Sequence, residues 1–295
     1  MGDDLAPSSL HRNRISEGLY RKETDACHVM GILNVTPDSF HEESRKTTVD
    51  SAVKAGLEMW KLGATWVDVG GESTRPNAEP VSIEEEHNRV VPVIKALRSA
   101  DAGGLISIDT RRPQVARAAL DAGADIINDV SGLRDPEMVN LILETGCGVC
   151  IMHMQGTPQT MQEKPEYDDC ALEVSIQLLE TARGLVAAGH PPECIALDPG
   201  IGFGKTHQHN LELLQRHELL RGNEGFAVLW GVSRKSIVGH ITGHNDSADR
   251  LAGTLALASF AYFEGIDIVR VHDVQEHIDL FKVCLLYTSP SPRDS

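Results

Sequence analysis

The chain has 295 residues, 41 % of them hydrophobic and only 4 % aromatic, with a formal net charge of −16. That length suits one α/β barrel of roughly 250 residues, and no apolar run approaches the roughly 18 residues that a membrane-spanning helix needs. The acidic balance argues against a nucleic-acid partner, because displacing counterions from phosphates takes a basic face; an anionic small molecule stays possible where basic residues gather.

Residues 1–26 are polar and aperiodic and read as a mobile arm or a small lid under the fold. They lack the basic start, apolar run and small-residue cleavage site of a secretory signal, so the cytoplasm is the expected location. From Cys27 a unit repeats: a short apolar run, a polar cluster, then a helical stretch. The runs cover 27–33, 65–69, 104–108, 125–127, 148–152, 194–197, 226–230 and 267–271. Helical patterns lie near 48–62, 82–99, 113–122, 135–145, 168–189, 209–220, 246–264 and 274–284. Gly63, Gly123, Gly146 and Gly189 follow four of them, where left-handed caps are expected.

Strands alternating with helices predict parallel pairing through right-handed crossovers. Eight such units predict closure into one single-domain α/β fold, a (β/α)8 TIM barrel over residues 27–284. An open dinucleotide-binding sheet would need a glycine-rich turn after the first strand; this chain has Asn34-Val35-Thr36-Pro37-Asp38 there. Residues 285–295 are Ser/Pro-rich, resemble sequencing-adapter read-through joined to a truncated gene, and are expected to lie outside the fold. The six cysteines form no framework. Cys147-Gly-Val-Cys150 has no second pair to complete a zinc site, so it reads as small buried residues.

Active sites of such barrels lie at the carboxyl ends of the strands. The polar residues there are Asn34; Asp68; Asp109; Asn128 and Asp129; His153; Asp198; Ser233, Arg234 and Lys235; Arg270, His272 and Asp273. One aspartate after a strand is usually a turn or cap residue, but eight polar ends converging on one mouth point to a site. Asp109, Asn128, Asp198 and Lys235 could hold the edge of a flat heterocycle bearing ring N–H, amino and carbonyl groups. The plain alternative is that Asp198 and Lys235 simply pair. Arg270 and His272, with Ser233-Arg234-Lys235-Ser236 opening a helix, form an anion-seeking set where phosphate commonly sits in this fold; for Arg234 a surface ion pair is the better reading. Two long loops, 34–46 and Gly70-Gly71-Glu72-Ser73-Thr74-Arg75-Pro76, are placed to close over a ligand. Asp198-Pro199-Gly200-Ile201-Gly202-Phe203-Gly204-Lys205 is a weak phosphate signal without the full Walker spacing.

Taken together, these segments resemble the dihydropteroate synthase family: Gly31–Phe40, Asp68–Pro76, Ser107–Thr110, Ile127–Asp129, Met152–Gly156, Asp198–Lys205, Ser233–Ser236 and Arg270–Asp273. The resemblance spans about residues 27–284 and its blocks occur in order. It implies an alkyl-transferring enzyme of folate biosynthesis, a sulfonamide target that joins p-aminobenzoate to a dihydropterin carrying a hydroxymethyl diphosphate and releases diphosphate. By resemblance Asp109, Asn128, Asp198 and Lys235 hold the pterin, Met152 packs on its ring and Asp68 supports the mouth. Asn34, Arg270 and His272 hold the diphosphate, Asn34 also binding Mg²⁺, the implied cofactor. Thr74, Arg75, Pro76, Phe203 and Ser233 shape the p-aminobenzoate pocket, with Phe40 and Asp38 on the closing loop; Asn34, Asp38, Lys235, Arg270 and His272 form the catalytic group.

Diphosphate leaves well only when its growing charge is neutralised, which suits Mg²⁺, Arg270 and His272. The implied partners are these two small molecules, with no membrane contact and a homodimer whose face comes from the last helices. After Phe40 the family often continues Ser-Asp-Gly-Gly, whereas this chain has His41-Glu42-Glu43-Ser44-Arg45-Lys46, which resembles sulfonamide-insensitive plasmid-borne relatives and predicts a stiffer first loop. Two other readings share the barrel: a pterin-binding methyltransferase, which needs no diphosphate site, and a non-catalytic pterin binder, which needs no closing loop.

Overall fold

Successive side chains of a strand point to opposite faces, and here both faces are apolar over most of each strand, as a sheet covered on both sides requires. The computed structural model describes residues 9–35, 42–73, 80–101, 103–157, 160–161, 163 and 165–288. In chain order its elements are α1 (Ser9–Leu19), β1 (His28–Asn34), α2 (Glu42–Leu62), β2 (Trp66–Gly70), α3 (Ile83–Ala100), β3 (Leu105–Asp109), α4 (Pro113–Asp121), β4 (Ile126–Asp129) and α5 (Pro136–Thr145). They continue with β5 (Gly148–Met152), α6 (Cys170–Ala187), β6 (Ile195–Asp198), α7 (His207–Gln215), β7 (Ala227–Trp230), α8 (Ser236–Thr242), α9 (Leu251–Phe263), β8 (Ile268–Val271) and α10 (Val274–Thr288). Each strand pairs in parallel with the next, and β1 pairs with both β2 and β8, so the sheet closes. The open-sheet alternative is excluded.

One face of each strand packs on the helices: Val67 and Val69, Ile106 and Ile108, Val149 and Ile151, Val269 and Val271 all belong to that outer core. The other face fills the barrel, where Met30, Trp66, Leu105, Ile126, Cys150, Ala196 and Ile268 form a separate cluster. Two residues further along, the same inward face turns polar: Asp68, Ser107, Asn128, Asp198 and Arg270. The barrel is therefore apolar below and polar above, and the strand period of two puts the boundary there.

Several boundaries differ from the sequence expectation. Asn34, Asp109, Asn128, Asp129 and Asp198 are the closing residues of their strands, still in the ladder, rather than the first loop residues. The N-terminal segment contains a helix, α1, whose Ile15 and Leu19 are fully buried in the cluster inside the barrel. Trp66 Nε1 donates to the Gly18 carbonyl at 2.8 Å, and Arg14 pairs with Asp125 at 2.6 Å. With only two apolar residues on its buried face, this helix leaves too faint a periodicity to read. Leu19→Ala is expected to cost about 2–5 kcal/mol, the usual range for emptying a buried leucine site; an unchanged midpoint in thermal denaturation would show that α1 does not hold the barrel closed.

α10 runs to Thr288, past the expected end at Cys284, because nothing between Leu285 and Thr288 breaks a helix; residues 289–295 lie outside the described residues. Gly63, Gly123, Gly146 and Gly189 all take positive φ, so those four caps formed as expected. All six cysteines are free and buried. Cys147 belongs to the outer core and Cys150 to the cluster inside the barrel, so they face opposite ways and form no pair.

Candidate active site

The upper layer of the barrel centres on Arg270 of β8. Its Nε donates to Asp68 Oδ2 at 2.6 Å and its Nη2 to Asp109 Oδ2 at 2.7 Å, so one guanidinium bridges carboxylates from two neighbouring strands. Asp68 also accepts from Ser107 Oγ at 2.5 Å and from Asn128 Nδ2 at 3.3 Å. Two buried carboxylates therefore share one cation. Burial pushes Asp109 up to about 7 against the pull of Arg270, with Asp68 adding to the rise. Burial works against the charge on Arg270, but Asp68 and Asp109 hold its pKa above the ordinary value.

Across the mouth, Asp198 closes β6 and Lys235 lies in the turn after β7. Burial raises the Asp198 pKa, with Lys235 opposing, and pushes Lys235 down to about 8, with Asp198 opposing. The two do not close an ion pair. Asp198 Oδ1 accepts the Gly200 N–H at 2.7 Å, while Lys235 Nζ donates to the Ile201 carbonyl at 2.5 Å and sits 4.5 Å from the centre of the Phe203 ring. Gly231 keeps the space between them open: a Cβ there would stand 3.6 Å from Asp198 Oδ2 and 3.7 Å from Lys235 Nζ. Met152 packs with Val130, Met154 and Met161, and Phe203 lies against them. The result is a slot with an apolar floor and walls carrying carboxylates, an amide and an ammonium.

Ser233 accepts the His272 backbone N–H at 3.2 Å, and its Oγ lies 3.0 Å from His272 Nδ1, which holds the ring in place. Arg234 between Ser233 and Lys235 takes a left-handed φ of 55°, and its fork grips Asp273 at 2.8 and 2.6 Å. The surface-ion-pair reading of Arg234 therefore holds, and the pair fixes the turn that carries Ser233 and Lys235. Asn34 ends β1 beside Gly70; a Cβ on Gly70 would lie 3.6 Å from Asn34 Oδ1 and 3.7 Å from Asp109 Oδ2, so this glycine leaves room between them.

Asn34, Asp68, Asp109, Asn128, Met152, Asp198, Phe203, Ser233, Lys235, Arg270 and His272 thus all stand at the carboxyl end of one barrel. Asp38, Phe40, Thr74, Arg75 and Pro76 lie outside the described residues. Asp129 is a turn residue, accepting from Ser131 N and Oγ at 2.7 and 2.6 Å and from Leu133 N at 3.1 Å. The glycine-rich loop is not a phosphate cradle: the N–H groups of Gly200 and Gly202 are taken by Asp198 and by Asn210, both at 2.7 Å.

Three contributors escaped the sequence reading. Ser107 lies inside an apolar run, but the period of two from Asp109 would have placed it on the inner face. Glu72, at the base of the second loop, is held by Arg112 at 3.0 Å and Arg111 at 3.4 Å and accepts from Val81 N at 3.2 Å, which ties the two ends of that loop together. Lys205 is buried behind the Phe203 loop; the sequence offered it only as the end of a glycine-rich segment with a weak phosphate signal.

Residues 30–272 match the family model described as "Pterin binding enzyme". A dihydropteroate synthase of Escherichia coli strain K12 is 46 % identical over 256 residues, which is 87 % of this chain and 90 % of that protein. The structure of Xanthomonas albilineans dihydropteroate synthase with 4-aminobenzoic acid superposes with a TM-score of 0.82 at 40 % identity, covering 90 % of this chain and 95 % of that one. That of Burkholderia cenocepacia dihydropteroate synthase complexed with 7,8-dihydropteroate gives 0.80 at 40 % identity, covering 88 % and 91 %. Fold, strand-end chemistry and relatives agree, and the chain belongs to the pterin-binding enzyme family, within its dihydropteroate synthases.

Proposed function

We propose that this mouth carries out the dihydropteroate synthase reaction with its residues divided into three groups. Asp109, Asn128, Asp198 and Lys235 hold the pterin edge over Met152. Arg270 and His272, with Asn34, receive the diphosphate. Phe203 and Ser233, together with Thr74, Arg75 and Pro76 of the second loop and Asp38 and Phe40 of the first, enclose p-aminobenzoate. The observation that carries this reading is Arg270 bridging Asp68 and Asp109 across the mouth from the Asp198–Lys235 slot. Acceptors and a donor for a heterocycle stand next to a cation for its leaving group.

In that arrangement the bond from the pterin methylene to the diphosphate oxygen breaks, the arylamine nitrogen forms the new bond, and the ammonium so formed gives one proton to the departing diphosphate or to solvent. An electron-rich ring supports positive charge on the methylene, so departure leads and the amine needs no strong base. Arg270 and His272 stabilise the oxygen that gains charge, and the loops keep water from competing.

Among the described residues no group of three or more His, Cys, Asp or Glu is arranged to hold a metal. Mg²⁺ needs few protein ligands when it arrives with phosphate oxygens and keeps its waters. The exposed amide of Asn34 at the strand end fits that role, and the bound ion would neutralise diphosphate charge.

Purified protein given Mg²⁺, the pterin diphosphate and p-aminobenzoate should release diphosphate only when both substrates are present; absence of dihydropteroate rejects the reading. The pH dependence follows from the two shifted groups. Asp109 must be ionised to accept from the pterin and gains its proton as pH falls through about 7. Lys235 must be charged to donate and loses its proton as pH rises through about 8. A narrow bell in kcat/KM for the pterin diphosphate is expected between those values, since that parameter reports the free enzyme; a flat profile across this range would remove one of the two groups.

No helix among the described residues is long and apolar enough to cross a membrane, and a cytoplasmic location suits two soluble substrates. Phe260 and Phe263 on α9 and Val283 on α10 are more than half exposed on adjacent helices, which supports a homodimer through that face. Sedimentation of the wild type against Phe260→Glu tests it.

A further inference from the structure

Lys205 ends the loop that carries Phe203, and it is 4 % exposed. Its Nζ donates to the Phe203 carbonyl at 2.9 Å and to the His153 carbonyl at 3.3 Å, and lies 3.1 Å from His153 Nδ1. These are three acceptors for the three protons of an ammonium. The imidazole must then carry its proton on Nε2, which lies 3.1 Å from Gln177 Oε1, an acceptor on α6. Burial and then the Lys205 charge hold His153 down at about 3, so it stays neutral and remains an acceptor.

Asp198 and Asn210 take the N–H groups of Gly200 and Gly202, and Tyr167 donates to the Gly204 carbonyl at 3.0 Å, which leaves the Phe203 carbonyl to Lys205. Gly200, Gly202 and Gly204 all take positive φ, and a Cβ at Gly200 would come within 1.9 Å of the His153 carbonyl that Lys205 grips. Lys235 takes the Ile201 carbonyl on one side of the loop, and Lys205 takes the Phe203 carbonyl on the other.

We propose that Lys205 is a positioning residue for the arylamine end of the pocket: by tying the Phe203 carbonyl to the end of β5, it sets where the Phe203 ring stands relative to Lys235. This rests on the assignment of Phe203 to the p-aminobenzoate pocket. A neutral amine has two protons for three acceptors, so losing the charge gives up one contact and loosens the ring. Lys205 faces His153 just after β5, Cys170 from α6, Asp198 from β6 and Lys235 from the turn before α8, and Arg134 acts on His153. Burial pushes it down to about 7, against Cys170 and Asp198, with Lys235 lowering it further. The tie therefore weakens as pH rises through neutrality.

The test uses the full chain with Lys205→Met and Lys205→Gln, assayed with each substrate varied against a saturating level of the other. Loss of charged hydrogen bonds to the loop is expected to raise KM for p-aminobenzoate about tenfold, while KM for the pterin diphosphate changes by less than about threefold and Gln recovers part of the loss. At saturating pterin diphosphate, with Asp109 and Lys235 already engaged, wild-type kcat/KM for p-aminobenzoate should fall as pH rises through neutrality, and this limb should vanish in the variants. If Lys205→Met does not fold, Lys205→Gln and the wild-type profile decide. A flat wild-type limb, unchanged p-aminobenzoate KM in folded variants, or equal changes for both substrates overturns the role of Lys205. A wild type that turns over normally but tolerates Phe203→Ala without loss of p-aminobenzoate affinity rejects the pocket assignment instead.

Discussion

Arg270→Ala is expected to lower turnover about a hundredfold or more, in line with the loss of one oxyanion donor, and to destabilise the fold at the same time. The two effects share a cause. Among the described residues Arg270 is the one cation touching both Asp68 and Asp109, and Asp68 is completely buried. Removing one partner of a buried pair leaves charge without compensation and typically costs about 3–5 kcal/mol. For a domain of this size that is roughly 2–4 °C of thermal midpoint per kcal/mol. Asp109 limits the cost by taking a proton, since burial already raises its pKa. Arg270→Lys distinguishes charge from geometry: a single ammonium cannot reproduce the fork from Nε to Asp68 and from Nη2 to Asp109. Near-normal diphosphate release by the lysine variant would show that the bridge itself is dispensable.

For Lys235→Met the expectation is the opposite balance, with turnover down at least about tenfold through the loss of one charged hydrogen bond and the thermal midpoint nearly unchanged. Burial pushes Lys235 down to about 8, so folding already disfavours its charge and little stability is lost with it. Function loses more. The contact to the Ile201 carbonyl, the cation over Phe203 and the donor for the pterin edge go together. The deficit should fall mainly in kcat/KM for the pterin diphosphate, because Asp198 loses the charge that most opposes the rise of its pKa and ionises less readily. A variant whose pterin kinetics match the wild type would take Lys235 out of the pterin site, whatever its effect on p-aminobenzoate.

The contrast between Asp68 and Asp129 shows where reading from sequence ran short. Both are aspartates at or near a strand end, and both are fully buried. Asp68 faces Arg270 across the barrel, whereas Asp129 turns back on Ser131 and Leu133 to cap its own loop. Residue type is the same, but the place in the strand is not: Asp68 shares the inward face of Trp66, whereas Asp129 follows the inward Asn128 and so falls on the opposite face by the strand period of two.

The sequence by itself determined the eight-fold alternation, the closed parallel barrel, the four glycine caps and the set of polar residues at the strand ends, because strand period, turn chemistry and crossover handedness are local rules. It also put Asn34, Asp109, Asp198, Lys235 and Arg270 in one mouth, since closure brings every carboxyl end to the same side. Only the tertiary structure decided that α1 plugs the bottom of the barrel, that Arg270 bridges two carboxylates while Asp198 and Lys235 remain unpaired, and that Lys205 grips the loop behind Phe203. Those outcomes depend on contacts between residues 50 to 200 positions apart, whose energies are set by burial and by the angle at which side chains meet, and neither exists until the barrel closes.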